Sequence, residues 1–282
     1  MAETPLTRIH AFTSVIILVL AVVASGTGLF GSGLYRDAPV LLPQLYGQDF
    51  LTMVGAVPAL ALSLVAAARG SQRGYVVWLG VLGYLLYTYA FMTAFSELYL
   101  VYVALLWLTL FAFVSGVAAL DANELKRTIG DTSIWPYVAF QLLLAALIAA
   151  LWLSEVLPAT VGGTTPPSIA EAGLSTSVIY LFDLGIVVPA LMLSAYWLWQ
   201  RRPWRYVFTA VLLVKLATLG GAVLAMAAFE IRAGTPIPWP QLVIFSGVTA
   251  ASVLLTIQLL LSIDSGSRYS STSPTLESDR NT

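Results

Sequence analysis

Eight long apolar runs divide this chain, and lysine and arginine collect in every second gap between them. A helix needs about 20 apolar residues to cross the hydrocarbon core of a bilayer, and each run approaches or exceeds that length. The pattern therefore predicts an all-α, polytopic integral membrane protein with eight transmembrane helices. The predicted spans are residues 11–30, 50–68, 75–95, 98–120, 135–153, 178–199, 206–228 and 241–263.

The basic residues also predict the orientation of the chain. With the N-terminus inside, the inner segments hold ten lysines and arginines, whereas the outer segments hold only Arg36 and Arg232. Because positive charge favours the cytoplasmic side, we expect a multi-pass plasma-membrane protein with both termini in the cytoplasm. The ten inner residues are Arg8, Arg69, Arg73, Lys126, Arg127, Arg201, Arg202, Arg205, Arg268 and Arg280.

Composition supports the bilayer as the medium around the chain. Hydrophobic residues make up 59% of the 282 positions and charged residues only 10%, whereas soluble domains average about 25% charged. Eight spans consume most of the chain, so residues 1–263 are predicted to form one transmembrane domain. Residues 264–282 are rich in serine and threonine and are predicted to be a disordered cytoplasmic tail.

Several chemistries are excluded or disfavoured by what the sequence lacks. A net charge of −1 argues against a nucleic-acid partner. The chain has no cysteine and a single histidine, His10, which excludes disulfides, thiolate chemistry and a multi-histidine metal site within one chain. Walker A, dinucleotide-binding, HExxH and GxSxG motifs are also absent. We therefore predict no cofactor and no metal, and an enzyme is the less favoured class.

The first span has a competing interpretation. Arg8 is followed by an apolar run that passes through Val22-Val23-Ala24-Ser25-Gly26, which resembles the end of a cleavable signal peptide. The run continues to Phe30 and is longer than the apolar region of a typical signal peptide, which favours a retained span. The remaining topology is the same in either case.

Two segments suggest an internal repeat. Residues 57–63 and 188–194 match at six of seven positions, at an offset of 131 residues. This predicts two related four-helix halves, 1–127 and 128–263, in parallel orientation because each half has an even number of spans. Pro58 and Pro189 occupy equivalent positions in these segments. They either kink their helices around a central cavity or are ordinary membrane-helix prolines.

Two ionisable residues lie inside predicted spans, where an unpaired charge is unfavourable by at least about 2.5–3.5 kcal/mol. They are Asp183 in the sixth span and Lys215 in the seventh. Because these spans are consecutive and antiparallel, we predict an Asp183–Lys215 ion pair, with Tyr180 and Thr218 one helical turn away completing a polar network. The pair is either a substrate or proton site or a structural lock between helices.

The third span carries a face of aromatic and hydroxyl side chains that includes Tyr84 and Tyr87. Such a face lines a pocket for an apolar ligand or an organic cation, or it serves packing and interfacial anchoring. Acidic residues also occur near the outer helix ends. They either attract cations or are there only because the helices emerge into water at these positions. These acids are Asp49, Glu97, Glu155 and Glu230.

These features favour a transporter or permease-like protein with a polar site near the middle of the membrane. Two other classes stay open: a non-catalytic membrane subunit or assembly factor, and a lipid- or quinone-linked membrane enzyme. The predicted partners are the bilayer and either a second copy or a membrane partner subunit. The candidate substrate-binding residues are Asp183, Lys215, Tyr180, Thr218, Tyr84 and Tyr87.

Overall fold

The computed structural model describes residues 5–31, 33–92, 95–129 and 132–263, without the Thr128 side chain. The predicted tail, residues 264–282, lies outside the described residues. Within the described ranges the chain is all-helical and forms eight long helices and two short ones. The helices are α1 (Arg8–Phe30), α2 (Leu42–Ala68), α3 (Gln72–Ala90), α4 (Tyr99–Ala119), α5 (Ala122–Thr128), α6 (Trp135–Gly162), α7 (Pro167–Glu171), α8 (Val178–Trp199), α9 (Arg205–Arg232) and α10 (Trp239–Ser262).

Seven of these helices are long and apolar enough to cross a membrane. They are α1, α2, α4, α6, α8, α9 and α10, and their character is that of a multi-pass membrane protein. In the most apolar part of α6 and of α10 only 17% of residues are buried within the protein. Outward-facing apolar surface of this extent is stable in hydrocarbon rather than in water.

Two helices are longer than the hydropathy pattern predicts. Helix α2 begins at Leu42 rather than near residue 50, with Pro43 in its first turn, where a proline needs no intrahelical donor. Helix α6 continues past residue 153 to Gly162 and contains Pro158. Pro43 and Pro158 both lie outside the predicted spans, 50–68 and 135–153, but a proline early in a helix or within a membrane-type helix is compatible with continued helix.

Helices α3 and α9 lie at the centre of the bundle. Helix α3 packs against α2, α4 and α9, and α9 packs against α2, α3, α8 and α10. The two central helices approach closely at Gly80, where a Cβ atom would lie 2.3 Å from the Val214 Cβ and 3.2 Å from the Val211 carbonyl oxygen. Only glycine allows the two backbones this contact.

Helices α2 and α8 each widen into a π-helical turn just before an internal proline, Pro58 and Pro189. The turns are Thr52–Ala56 in α2 and Asp183–Val187 in α8, again 131 residues apart. In each turn the following valine donates its N–H five residues back, Val57 to Thr52 and Val188 to Asp183. A proline lacks the N–H and crowds the carbonyl four residues earlier, and the wider turn relieves that conflict.

We call the end of the bundle where α1, α3, α6 and α9 begin the basic end. There the Arg73 guanidinium donates to the Ile263 carbonyl oxygen, with its Nη2 atom at 2.6 Å. Ile129 also forms an isolated β-bridge with Ile263. These contacts tie the end of α10 to the start of α3 and the end of α5. These three helices are therefore held together at the basic end.

Candidate functional site

Asp183 is the centre of a polar site in the second half of the chain. Its carboxylate is only 8% exposed and accepts two hydrogen bonds, from the Tyr87 hydroxyl at 2.6 Å and from the Trp152 indole N–H at 2.8 Å. The residue opens the π-helical turn of α8. Irregular turns of this kind occur frequently at functional sites.

Lys215 is buried on the other side of Tyr87. Its side chain is 7% exposed, and its ammonium lies 4.0 Å from the centroid of the Tyr87 ring. The ammonium has no hydrogen-bond partner among the described residues. A cation over an aromatic face is attracted by the ring quadrupole, so the tyrosine replaces part of the lost hydration.

The predicted direct ion pair between Asp183 and Lys215 is therefore wrong. Both side chains are described, and the one ion pair found among the described residues joins Arg36 and Glu97 instead. The prediction assumed that α8 and α9 touch at this depth. Tyr87 from α3 lies between the two charges, with its hydroxyl on the acid and its ring on the base.

Tyr180 belongs to a second layer behind Asp183. Its ring stacks on the Trp152 ring with centroids 4.3 Å apart, and its hydroxyl donates to Glu155 at 3.1 Å. Ser168 also donates to Glu155, at 2.5 Å. This layer holds the indole in the orientation that donates to Asp183. Tyr180 thus supports the site through Trp152 rather than by direct contact with the carboxylate.

Thr218 and Tyr84 are placed away from the Asp183 carboxylate. The Thr218 hydroxyl donates to the Val214 carbonyl oxygen of its own helix at 2.9 Å. The Tyr84 hydroxyl lies 3.1 Å from the Thr52 hydroxyl, in the π-helical turn of the first half. Of the six predicted site residues, the structure thus joins three directly and one through Trp152. Their role in binding a substrate stays a prediction.

A cavity of about 320 Å³ opens beside Asp183. It lies between α3, α6, α8, α9 and α10 and extends from Asp183 toward the end opposite the basic end, where Glu230 and Gln241 line it. The charged residues in its described lining are two acids, Asp183 and Glu230. Most other lining residues are apolar or aromatic, as is usual for small-molecule sites.

A second buried acid, Asp49, lies one turn before the π-helical turn of α2. It is 4% exposed and accepts a hydrogen bond from the Tyr35 hydroxyl. A Cβ at Gly28 would lie 1.8 Å from the Asp49 Oδ2, so glycine is needed there to admit the carboxylate. Burial and the neighbouring Asp49 charge both raise the pKa of the Tyr35 hydroxyl above its ordinary value, at which it is already a donor at neutral pH.

Polar atoms without partners cluster in the same region. Among the described residues, buried atoms with no protein partner include the Gln48 amide nitrogen and the Tyr89 hydroxyl. Gln48 and Tyr102 also line a separate cavity of about 270 Å³ near Tyr35. Buried polar groups in proteins are normally satisfied, so this cluster is a place where water is expected.

Sequence reasoning missed two elements of the site. Trp152 is not among the predicted site residues, although its spacing of three from Glu155 places both on one helical face. Gln44, which lines both cavities and donates to Glu230 at 2.7 Å, lies outside the predicted second span, 50–68. The Trp152–Glu155 spacing was an available signal, whereas nothing local in the sequence linked Gln44 to Glu230.

Comparison of the chain with protein-family models, curated proteins and solved structures finds no match. Within the described ranges, no group of three or more histidine, aspartate or glutamate residues is arranged to hold a metal ion.

Proposed function

We propose that this chain is a plasma-membrane permease for a small organic cation that carries an apolar group. The observation that supports the proposal is the cavity beside Asp183. Its size of about 320 Å³ suits a small molecule, and its charged lining residues are both acidic. The cavity also exposes the aromatic side chains of Tyr87 and Trp152, which attract cations through their faces.

Lys215 supports a cation rather than an anion as the substrate. It lies against the Tyr87 ring, whose hydroxyl donates to Asp183, and it is absent from the cavity lining because Tyr87 covers it. A ligand in the cavity therefore meets the carboxylate and not the ammonium. A cation bound in the cavity also balances the Asp183 charge, which Lys215 balances only from a longer distance.

We propose that the chain spans the membrane eight times. The additional span is α3, the long helix that is not among the seven most apolar ones. Helix α3 has 19 residues, which is close to the length that a bilayer requires. It contains four tyrosines and three glycines, which lower its hydropathy. Because other helices surround α3, its side chains need not be soluble in lipid. A central helix can be more polar than a peripheral one.

The proposal includes two parallel four-helix halves. The π-helical turns fall at equivalent positions, and each is followed by the same Val-Pro pair. Gly80 and Val211, also 131 residues apart, face each other where α3 meets α9. Equivalent residues meet in this way at a two-fold axis, so these contacts favour an axis along the membrane normal.

The proposed orientation places the basic end of the bundle in the cytoplasm. The turns between α2 and α3 and between α8 and α9 both carry arginines, as does the start of α1. Excess positive charge at one end of a membrane bundle is retained on the cytoplasmic side during insertion. The cavity beside Asp183 then faces the outer half of the membrane.

Uptake by purified protein in liposomes tests the proposal. We expect phenyltrimethylammonium, a permanently charged aromatic cation, to accumulate and to raise the melting temperature of the protein. Benzenesulfonate, an anion of similar size, should do neither. Replacing Val223 with phenylalanine fills the cavity without touching Asp183 and should abolish uptake. The matched control is A228F on the same helix, because Ala228 is exposed and does not line the cavity.

The cation proposal is wrong if phenyltrimethylammonium neither binds nor enters, or if benzenesulfonate behaves identically. Equal loss in V223F and A228F also contradicts a role for the cavity.

A non-catalytic membrane subunit is the second candidate. It is favoured by α10, which packs chiefly against α9 and leaves most of its apolar surface uncovered. Purification in mild detergent separates the two functions: a stoichiometric second protein indicates a subunit, and a homogeneous single species that binds the cation indicates a permease. The third class, a lipid- or quinone-linked enzyme, gains no specific support from the cavity.

A further inference from the structure

A third, wider cavity lies at the basic end of the bundle. Its volume is about 690 Å³, and it is bounded by the end of α5, the start of α6, the end of α8 and the start of α9. The charged side chains in its described lining are all basic: Lys126, Arg201 and Arg205. Three cations thus converge on one space in a chain with only 10% charged residues.

These cations have no carboxylate partner among the described residues, where the one ion pair joins Arg36 and Glu97. The Arg205 guanidinium lies 4.4 Å from the Tyr206 ring centroid and donates to the Tyr206 hydroxyl at 3.0 Å. Its Nε atom is buried and has no hydrogen-bond partner in the described part of the chain. The arginine is therefore held in place by an aromatic ring while donor capacity remains unused.

The backbone around Arg201 is also unusual. Arg201 has φ of 55°, the one non-glycine residue with positive φ in the described chain. Left-handed backbone is unfavourable for an arginine, and glycine or asparagine is the usual occupant of such a turn. Strained positions of this kind cluster at functional sites, where the residue's side chain has a role that offsets the cost.

The rim of the cavity has the character of a membrane interface. Trp135 and Trp199 both line it, and each is 64% exposed. Tryptophan favours the level of the lipid headgroups, where its ring meets hydrocarbon and its N–H meets water. The lipid-facing surface of α8 begins immediately beside Trp199, with Tyr196 nearly half exposed. A ligand in this cavity can therefore keep apolar chains in the bilayer.

We propose that this cavity binds the phosphate of an anionic phospholipid headgroup. Arginine presents paired N–H donors that match phosphate oxygens, and lysine adds a compact positive charge. Basic pockets between helices at the cytoplasmic side of membrane proteins bind such headgroups. The shared chemistry is a phosphate group, and the indoles at the rim favour a lipid over free phosphate. The proposal does not depend on the permease function.

The chain provides a matched pair of variants for the test. Lys126 and Arg201 line the cavity, whereas their sequence neighbours Arg127 and Arg202 do not. K126Q/R201Q and R127Q/R202Q therefore remove the same charge from adjacent positions. Binding of phosphatidylglycerol to the full-length protein, measured by native mass spectrometry against phosphatidylcholine, should weaken at least about tenfold in K126Q/R201Q. It should change little in R127Q/R202Q.

Equal weakening in the two double variants indicates general attraction to basic surface and overturns the proposal. The second part of the test uses inorganic phosphate as the ligand. If it raises the melting temperature of the protein and displaces phosphatidylglycerol, the cavity is a free-phosphate site and the lipid assignment is wrong. The single variants R201Q and R202Q, both at exposed positions, repeat the comparison if a double variant does not fold.

Discussion

Tyr87 is the residue on which the polar site depends. Its hydroxyl donates to the Asp183 carboxylate at 2.6 Å, and its ring faces the Lys215 ammonium at 4.0 Å. One side chain thus stabilises two opposite charges that do not touch. A buried acid and base separated by an aromatic ring retain their attraction at longer range, while each finds a different local partner.

Replacing Tyr87 with phenylalanine removes the hydroxyl and keeps the ring. Asp183 then has Trp152 as its remaining donor. We expect the free energy of unfolding to fall by about 1–2 kcal/mol, as for an interhelical hydrogen bond in a membrane protein. Thermal unfolding in detergent measures the change. The control is Y99F, at an exposed tyrosine on α4, and a Y87F loss no larger than that of Y99F contradicts the account.

The two charges should respond unequally to neutralisation. D183N leaves the Lys215 ammonium buried with a tyrosine ring and no countercharge, and we expect a loss of about 3 kcal/mol or more. K215M leaves a carboxylate that still accepts two hydrogen bonds, so its loss should be smaller, below about 2 kcal/mol. The double variant should lose less than the sum of the two.

A double-mutant cycle on purified protein measures this coupling. Additive losses would show that the two groups do not stabilise each other, and a K215M loss larger than that of D183N would contradict the predicted inequality.

At the scale of elements, the central helices α3 and α9 cross in close contact at Gly80. A methyl group at Gly80 would lie 2.3 Å from the Val214 Cβ, whereas one at Gly83 would meet the Phe113 ring at an ordinary 3.4 Å. We expect G80A to destabilise the protein by about 1–3 kcal/mol and G83A to have little effect. Thermal unfolding compares the two.

Equal stability of G80A and G83A contradicts the close crossing.

The elements themselves were largely predictable from the sequence. Apolar runs located α8 to the residue, at 178–199, and α1, α4, α9 and α10 to within a few residues. The first part of α2, residues 42–49, was not predicted because Gln44 and Asp49 interrupt the apolar pattern. These residues are tolerated since Gln44 pairs with Glu230 and Asp49 with Tyr35, and both partners are distant in sequence.

The site was predicted in composition but not in geometry. Asp183 and Lys215 stood out because ionisable groups are costly in hydrocarbon, and Tyr87 stood out as part of a helix face of aromatic and hydroxyl side chains. The π-helical turn at Asp183 and the insertion of Tyr87 between the charges were not predictable from helical periodicity. Periodicity assumes regular α-helix, and one wider turn changes which face a side chain occupies.

At the scale of the whole molecule, the account depends on α3 crossing the bilayer. If it does not, α4 and every later helix change direction, and the cavity beside Asp183 opens on the other side of the membrane. The absence of cysteine in the chain makes this point testable with single cysteine substitutions. Arg69 and Glu97 flank α3, and both side chains are exposed.

Labelling with a membrane-impermeant maleimide in intact cells is the most direct measurement. The account predicts that E97C is labelled at once and that R69C is labelled only after the membrane is permeabilised. R202C and T235C flank α9, one of the seven most apolar helices, and serve as the control pair with the same expected difference. If R69C and E97C are labelled alike while R202C and T235C differ, α3 does not span the membrane and the eight-span account is contradicted.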